Sequence, residues 1–302
     1  MTNFLYSYQH FPLYLKPAFE VGFFSISWYS IMYLIAFGMV YLLLKHRIKA
    51  GECDIKAQGQ KRKTQNESLK LKIGGNTRPK TINIEYLTDF LIYAFIGLLI
   101  GARVGEVLFY NFSHYWNNPL AVISPFDPVT HEFIGIYGMS YHGGLIGILI
   151  AAFVFTKKYG IDFWDFSDFV IPAIPAGYFF GRIGNFINNE LYGRVTEKSW
   201  GMYFRDDFLN LRHPSQLYEA CLEGVVLFVI LWSVRNKKMF QGCLFPVYLV
   251  GYAIFRFFCE FFREPEGKLY FSGLFTLGQI FSLIMIFLAI DIIIFKKSKK
   301  EV

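Results

Sequence analysis

The chain has 302 residues, of which 54% are hydrophobic, 20% are aromatic and only 18% are charged. Soluble domains carry roughly 25% charged residues, and a soluble protein of this composition would expose large apolar patches. The net charge of +7 is concentrated in a few loops. The composition therefore indicates an integral membrane protein and disfavours nucleic acid as a partner.

Seven apolar segments approach the length of about 20 residues that a helix needs to cross the hydrocarbon core of a bilayer. Gly143 and Gly144 interrupt the third segment, and Pro172 and Pro175 interrupt the fourth. Broken helices are tolerated where they line a buried cavity. The sequence predicts an all-α, polytopic membrane fold with about seven transmembrane helices, at roughly 26–44, 86–110, 134–156, 163–181, 217–234, 243–262 and 273–295.

Basic residues predict the orientation. Twenty of the 30 Lys and Arg residues lie in four segments that alternate along the chain, 45–80, 157–158, 235–238 and 296–300. Because basic loops are retained in the cytoplasm, we expect the N-terminus outside and the C-terminus inside. The segment at about 51–80 is rich in Lys, Gln, Asn and Gly, which predicts a flexible basic cytoplasmic loop. It interrupts a single transmembrane domain over residues 1–302.

Ionisable groups inside membrane spans are costly, so each is a candidate functional residue. Arg103 and Glu106 lie in the second span, and Asp168 in the fourth is a potential salt-bridge partner. His142, in the run Ser140-Tyr141-His142-Gly143-Gly144, is expected to be buried in an apolar context. A histidine can take a proton near neutral pH, although a lone histidine also serves as a hydrogen-bonded core residue.

The densest polar run follows the fourth span and contains Arg182, Asn185, Asn188 and Glu190 among several glycines. Arginine matches the oxygen geometry of a phosphate, and glycine lets the backbone approach a ligand closely. A phospholipid headgroup is the phosphate expected at this depth. The alternative is a polar loop whose groups satisfy one another.

Two further groups precede and occupy the fifth and sixth spans. Pro214 and Ser215 suit a helix start, with Ser215 as its cap, but capping does not explain the carboxylates Glu219 and Glu223 carried into the membrane. The sixth span places four polar residues on one helical face, at i, i+4, i+8 and i+11. They face a polar cavity or form a structural ladder of ion pairs: Tyr252, Arg256, Glu260 and Arg263.

The sequence predicts neither a metal site nor a cofactor. Its four cysteines form no CxxC or Cys/His spacing, and it has no P-loop or Rossmann motif. Gly138-Met139-Ser140 does not complete a GxSxG motif, because His142 stands in place of the second glycine.

These motifs resemble a known family. The run GRIGNFINNELYG at 181–193 fits Gly-Arg-x-Gly-Asn-Phe-x-Asn-x-Glu-x-x-Gly at every fixed position, a pattern typical of the prolipoprotein diacylglyceryl transferases of bacteria. The resemblance extends over nearly the whole chain except the 51–80 loop. It includes Trp28-Tyr29 and Tyr33, HGGLIG at 142–147, RHPSQLYEA at 212–220 and GYAIFRFFCEFFREPEG at 251–267.

The resemblance implies that the enzyme moves the diacylglyceryl group of phosphatidylglycerol onto the thiol of a lipobox cysteine in a prolipoprotein signal peptide. A thioether forms and glycerol phosphate leaves, as the first step of lipoprotein maturation. The family also implies seven spans in the bacterial cytoplasmic (inner) membrane, with the N-terminus outside and the active site toward the outer face.

Roles follow from the matching positions. Arg182 and Arg256 are expected to bind the phosphate, and His142 is the candidate general base, with Tyr252 and Tyr29 as hydrogen-bond donors or proton relays. Glu260 would orient Arg256, and Glu219 would lie near the same cavity. The remaining substrate-binding candidates are Asn185, Asn188, Glu190, Arg263 and Arg103.

Other classes of function also use intramembrane charges. A lipid or small-solute transporter is the first alternative, but the chain lacks an inverted repeat and its polar groups cluster toward one side. A different lipid transferase would share the phosphate site and differ in its acceptor. An intramembrane protease is the least favoured alternative, because the sequence contains no convincing Ser/His or paired-aspartate arrangement.

Overall fold

The protein is mostly helical. Its computed structural model describes residues 2–16, 18–21, 24–53, 55–57, 80–124, 138–265, 267, 269–270 and 273–298. The helices are α1 (Thr2–Tyr14), α2 (Trp28–Lys49), α3 (Ile84–Gly105), α4 (Phe112–Asn117), α5 (Tyr141–Tyr159), α6 (Phe163–Val170), α7 (Ile174–Asn188), α8 (Ser215–Glu219), α9 (Leu227–Val234), α10 (Leu244–Cys259) and α11 (Leu277–Ser298). Three antiparallel strand pairs accompany them, β1 (Ala18–Val21) with β2 (Phe24–Ser27), β3 (Lys56–Ala57) with β4 (Lys80–Thr81), and β5 (Met202–Phe204) with β6 (Asp207–Arg212).

Four helices among the described residues are long and apolar enough to cross a membrane: Trp28–Lys49, Ile84–Tyr110, Ser215–Val234 and Leu277–Lys296. They match the first, second, fifth and seventh predicted spans, so the fold is that of a polytopic membrane protein. The number of seven spans and the orientation of the termini stay predictions.

The other three predicted spans are helical where the structure describes them but shorter or interrupted; residues 134–137 of the third span lie outside the described residues. The 19 residues of α5 form one continuous helix, so the expected interruption at Gly143 and Gly144 is absent; these glycines pack closely against α3 instead. α10 has 16 residues. The fourth span is broken between α6 and α7 by a 3₁₀ turn that contains Pro172. This break follows from proline, which removes a backbone donor and clashes with the preceding turn.

The chain divides into two compact units, residues 47–166 and residues 1–46 with 167–302. In the first unit, α3 and α5 pack through small residues. A Cβ added to Gly101 would lie 2.7 Å from the Gly147 Cα, and one added to Gly97 would lie 2.7 Å from the Ala151 Cβ. Small residues let helix backbones approach closely in a membrane. The prediction of one transferase domain stays a prediction.

In the second unit, α7 lies against the helical stretch from α8 to α9, which also contacts α10, and α10 packs against α11. Ile171, Leu227 and Leu231 form a buried apolar cluster there. The β5–β6 pair and α1 enclose a second cluster that includes Phe186 and Phe204. The first cluster packs against Ile174 at the start of α7, and the second contains Phe186 in the half of α7 that carries the polar motif.

Only the ends of the predicted cytoplasmic loop at 51–80 can be described. Lys56 pairs with Thr81 and Ala57 with Lys80, so the two ends of the loop lie side by side. Residue 54 and residues 58–79 lie outside the described residues, and the predicted flexibility of the loop with them.

Candidate active site

The motif at 181–193 occupies the last turns of α7 and the turn that follows. Asn189 ends the helix with φ 61°, and its side chain donates to the Pro12 carbonyl at 3.0 Å and accepts from the Arg205 amide at 3.1 Å. Asparagine tolerates this left-handed conformation better than most residues. These hydrogen bonds, to one residue before the motif and one after it in the chain, fix the direction in which the chain leaves α7.

Two glycines of the motif lie in close packing, which is tight at Gly184 and leaves no room for a side chain at Gly193. A Cβ on Gly184 would lie 3.1 Å from the Tyr29 ring, and one on Gly193 would lie 2.8 Å from the Cβ of His213. Gly193 donates its amide to the His213 carbonyl at 2.8 Å and bridges to Arg263. The end of the motif is thereby joined to the segments that precede α8 and follow α10.

Glu219 is the centre of a buried group of charges. Its Oε2 lies 2.8 Å from Arg182 Nε and 3.1 Å from Arg256 Nη1, and its Oε1 lies 3.2 Å from Arg263 Nη1. The Glu219 side chain is 0% exposed. We refer to Glu219, Arg182, Arg256 and Arg263 as the arginine cluster. One carboxylate holds three guanidinium groups within a single site, one from α7 and two from the end of α10 and the turn after it.

The stripe predicted on the sixth span contributes two of these arginines. Arg256 lies on α10, and its Nη2 forms an ion pair of 2.9 Å with Glu260, the residue that caps the helix. Arg263 lies beyond the end of α10 yet still reaches Glu219. The predicted grouping of Arg256, Glu260 and Arg263 is therefore present, although the last member reaches the site from a turn rather than from a helix.

Tyr178 and Glu223 form a layer beside the cluster. The Tyr178 hydroxyl accepts a hydrogen bond from Arg182 Nε at 2.7 Å. Its own proton can go to Glu219 or Glu223; Glu223 is the closer of the two carboxylates, since Glu219 lies 3.4 Å away, so Tyr178 donates to Glu223. The Tyr178 ring also lies edge-on to Tyr252, with centroids 5.7 Å apart. Tyr178 was not predicted as a site residue; its i, i+4 spacing from Arg182 was the available signal.

The helix that carries both glutamates changes geometry at the site. α8 ends at Glu219, and residues Ala220–Val226 form a π-helical segment before α9. Short π segments inside α-helices occur frequently at functional sites. Glu219 and Glu223 thus flank the point at which the regular helix is interrupted.

A chain of amides extends the cluster toward the motif turn. Arg182 Nη1 donates to the Asn185 Oδ1 at 3.2 Å, and Asn185 Nδ2 donates to the Glu190 carboxylate at 2.7 Å. The Glu190 carbonyl accepts from Gln216 at 2.7 Å. Asn185, itself bonded to Glu190, therefore holds Nη1 of Arg182, while Tyr178 holds its Nε.

Arg182 and Arg256 keep a small exposed fraction, whereas Glu219 and Arg263 are buried. The side chains of Arg182, Arg256 and Arg263 are 13%, 16% and 8% exposed. Each guanidinium carries five N–H donors, and Arg182 Nη2 makes no hydrogen bond to any described residue. The site can therefore offer preorganised donors to an anion without moving the groups that hold them.

Sequence comparison identifies the family to which this arrangement belongs. A model of the family described as prolipoprotein diacylglyceryl transferase matches residues 16–295. The chain belongs to the prolipoprotein diacylglyceryl transferase family.

Curated relatives match from two thirds to the whole of the chain. The protein of Chlorobaculum tepidum named phosphatidylglycerol–prolipoprotein diacylglyceryl transferase is 44% identical over 306 residues, which cover 100% of this chain and 96% of the relative. A Campylobacter jejuni protein of the same name is 41% identical, with 94% of each chain covered. The Wolinella succinogenes protein of that name is 50% identical over 67% of this chain and 73% of its own.

In this transferase, His142 is exposed, which corrects the expectation that it is buried. It lies in the first turn of α5, after Ser140, whose side chain caps the helix by accepting from the Gly143 amide at 3.1 Å. The Tyr141 ring lies edge-on to His142 at 5.7 Å. The face of α5 that is buried against α3 carries Gly143, Gly144 and Gly147, and His142 lies off that face. His142 belongs to the unit of residues 47–166.

Arg103 lies in the same unit and binds backbone carbonyls. It donates to Val122 at 2.7 Å, Ala121 at 2.6 Å and Gly138 at 3.2 Å, and its guanidinium lies over the Tyr115 ring at 4.9 Å. These contacts fix the segment that follows α4. Its predicted contact with the phospholipid stays a prediction.

Tyr29 and Asn188 belong to the same unit as the arginine cluster. Tyr29 packs on Gly184 and shares a hydrogen bond of 2.9 Å with the Tyr33 hydroxyl. The described contact of Asn188 is through its carbonyl, which accepts from Arg205 at 3.1 Å. The structure describes no contact between the Asn188 side chain and the arginine cluster.

Two polar side chains hold helix starts around the site. Ser215 begins α8 as predicted, but its hydroxyl donates to the Leu191 carbonyl at 3.0 Å instead of capping the helix. This corrects the predicted capping role; the bond ties α8 to the motif turn. Asp168 accepts from the Phe245 amide at 2.9 Å, which places a carboxylate at the N-terminus of α10, where it is favoured.

The segment between α7 and α8 carries its own ion pairs. Arg212 lies 2.5 Å from Asp207 and 2.9 Å from Glu264, and it donates to the Gly193 carbonyl at 3.1 Å. The hydrogen bond from Arg212 holds the pKa of Asp207 below its usual value. Burial lowers the pKa of His213.

Among the described residues, no group of three His, Cys, Asp or Glu side chains could hold a metal ion.

Proposed function

We propose that this transferase moves the diacylglyceryl group of phosphatidylglycerol onto the lipobox cysteine thiol of a prolipoprotein, as the names of its relatives state for them. The observation that carries the proposal at the level of chemistry is the arginine cluster, three guanidinium groups held by one buried carboxylate. A phosphate is the anion that such donors match best. The lipobox as the acceptor sequence is part of this proposal.

The reaction has three requirements. The thiol loses its proton, because the thiolate is the nucleophile. Its sulfur forms a bond to the glycerol carbon while that carbon's bond to the phosphate oxygen breaks, and glycerol phosphate leaves with the electron pair. The charge that develops on the leaving phosphate is stabilised by preorganised donors, and both substrates are held in line.

Arg182 and Arg256 are the residues we assign to the phosphate. Glu219 fixes both guanidinium groups, while Tyr178 and Asn185 hold Arg182 and Glu260 holds Arg256. Because the positions of the donors are set before the substrate binds, little reorganisation is needed as charge develops. Arg263 adds a third positive charge, and Asn188 and Arg103 complete the proposed substrate contacts.

The proton of the thiol is assigned to His142, with Tyr252 and Tyr29 as donors or relays. The exposure of His142 in its own unit leaves its ring accessible to a substrate. None of the steps calls for a metal ion or an organic cofactor, because the leaving group is stabilised by guanidinium groups and the nucleophile is activated by proton loss.

The partners follow from the reaction and from the helices. Phosphatidylglycerol and the signal-peptide segment of a prolipoprotein reach the site from the bilayer, and no nucleic acid takes part. We place the protein in the bacterial cytoplasmic (inner) membrane with seven spans, the N-terminus outside and the active site toward the outer face. Basic residues concentrated in alternate loops support this orientation.

The test is a mass measurement with purified protein, phosphatidylglycerol and a lipobox peptide. We expect the peptide to gain one diacylglyceryl unit, and to gain none when its cysteine is replaced by serine. Arg182→Ala should abolish the gain, whereas Arg235→Ala, which removes an arginine bonded to the Trp232 carbonyl, should keep it.

Two outcomes contradict parts of the proposal. No mass gain with folded wild-type protein and excess phosphatidylglycerol would reject the transfer reaction, and full activity of Arg182→Ala would reject the phosphate assignment. His142→Gln with near-normal turnover would remove His142 from the role of general base.

A further inference from the structure

The start of α11 is fixed by a reciprocal pair of hydrogen bonds. The Thr276 amide donates to the Gln279 side chain at 3.1 Å, and the Gln279 amide donates to the Thr276 hydroxyl at 3.2 Å. Both side chains are buried. This arrangement is a capping box, which satisfies two backbone donors of the first helical turn. The residues between these two positions therefore have little freedom to move.

Gly278 lies inside this fixed turn and faces the Glu260 carboxylate. A Cβ added to Gly278 would lie 2.7 Å from the Glu260 Cδ and Oε1 and 2.8 Å from its Oε2. Real Cβ atoms do not approach other atoms this closely, so either the carboxylate or the helix would have to shift. Glu260 is itself buried and ion-paired with Arg256 at 2.9 Å.

The backbone does not explain the glycine. The φ angle of Gly278 is not positive, so its conformation does not call for glycine, and alanine is the better helix former. The second residue of a helix that is well capped has no need of glycine. The space that the missing side chain leaves is therefore the feature that matters, and the Glu260 carboxylate fills it. The N-terminal turn of a helix also favours a negative charge beside it.

We propose that Gly278 is a positioning residue for Arg256 and acts through Glu260. The start of α11 provides the seat for the Glu260 carboxylate, and the carboxylate sets the direction of the Arg256 guanidinium. This inference rests on the proposed function, in which Arg256 binds the phosphate. It adds α11 to the elements that build the site, from a position that does not contact the substrate phosphate.

The proposal predicts the outcome of a double-mutant cycle. In Gly278→Ala, the new Cβ displaces the carboxylate, and we expect kcat with phosphatidylglycerol to fall about 10-fold or more, in the range seen when a hydrogen bond to a charged group is lost. Glu260→Asp alone should also lower kcat, because the shorter side chain lies farther from Arg256. In Gly278→Ala/Glu260→Asp, the shorter side chain makes room for the Cβ, and activity should exceed that of Gly278→Ala.

The proposal thus predicts that Glu260→Asp lowers activity in the wild-type background and raises it in the Gly278→Ala background. If Gly278 only shaped the helix, Glu260→Asp would lower activity by the same factor in both backgrounds, and the proposal would be wrong. Gly38→Ala is the matched control, since Gly38 lies in α2 and an added Cβ there has nothing within 4 Å. We expect it to keep wild-type kcat and KM.

Two further measurements cover a variant that does not fold and an enzyme that does not turn over. In the Glu260→Ala background the carboxylate is gone, so adding Gly278→Ala should fold and cause no further loss; an additional loss would overturn the proposal. The cycle of Gly278→Ala, Glu260→Asp and the double variant can also be measured by melting temperature, which requires no turnover. If the melting shifts of the two single variants do not add and the wild type is inactive, the proposed function is rejected but the contact between Gly278 and Glu260 stands. If the shifts add, the contact itself is rejected.

Discussion

Replacing Glu219 by Gln tests whether one carboxylate holds the site together. The side chain keeps its size but loses its charge, and the three guanidinium groups at 2.8, 3.1 and 3.2 Å lose their common partner. Glu219 is fully buried, so the pairs are poorly screened by solvent. Removing one partner of a buried ion pair costs about 3–5 kcal/mol, and here the arginines would also repel one another.

The expected effects are loss of stability and loss of transfer. At roughly 2–4 °C for each kcal/mol, the melting temperature of the detergent-purified variant should fall by on the order of 10 °C. Phosphatidylglycerol should recover part of that loss, because its phosphate supplies the missing negative charge. Transfer to a lipobox peptide, measured by mass, should slow because kcat falls, and not only because KM rises, since the guanidinium groups change their orientation.

The control is Glu264→Gln. Glu264 pairs with Arg212 at 2.9 Å but is 52% exposed, and exposed pairs contribute about 0–1 kcal/mol, so its melting temperature should change little. If Glu219→Gln melted like this control and kept its turnover, the central role of Glu219 would be refuted.

Two further predictions concern neighbouring contacts. Tyr178→Phe removes the hydroxyl between Arg182 and Glu223 while keeping the ring, and kcat should fall about 3- to 10-fold, as for a lost hydrogen bond; unchanged kinetics would show that Asn185 and Glu219 suffice. The pKa of Asp207 is lowered by Arg212, so its contribution to stability is present above the unfolded pKa of 3.8 and is lost as pH falls through the folded pKa. Asp207→Asn should flatten the fall in melting temperature below about pH 4; an unchanged slope would contradict this.

Several features of the protein could be read from the sequence because they depend on local pattern or on composition. Apolar segments of sufficient length specify a membrane protein, since the bilayer accepts few charges. Helical periodicity placed Arg256 and Glu260 on one face of α10, and the pair is present at 2.9 Å. The motif at 181–193 identified the family, which the comparison confirmed.

Other features were decided only by the tertiary structure, because periodicity shows which residues share a face but not which faces meet. Arg182, Glu219 and Arg263 are far apart in sequence and meet only when α7, α8 and the turn after α10 pack together. Gly278 gave no sequence signal, since its importance lies in the space it leaves for Glu260.

The incorrect expectations have the same physical origin. His142 was expected to be buried because its neighbours are apolar, but apolar residues in a membrane helix also face lipid, and His142 lies off the face of α5 that is buried against α3. Ser215 was expected to cap α8, yet the Leu191 carbonyl, brought close by the fold, accepts its proton. Sequence supplied the chemical groups and their order along each helix, and packing decided which groups became partners.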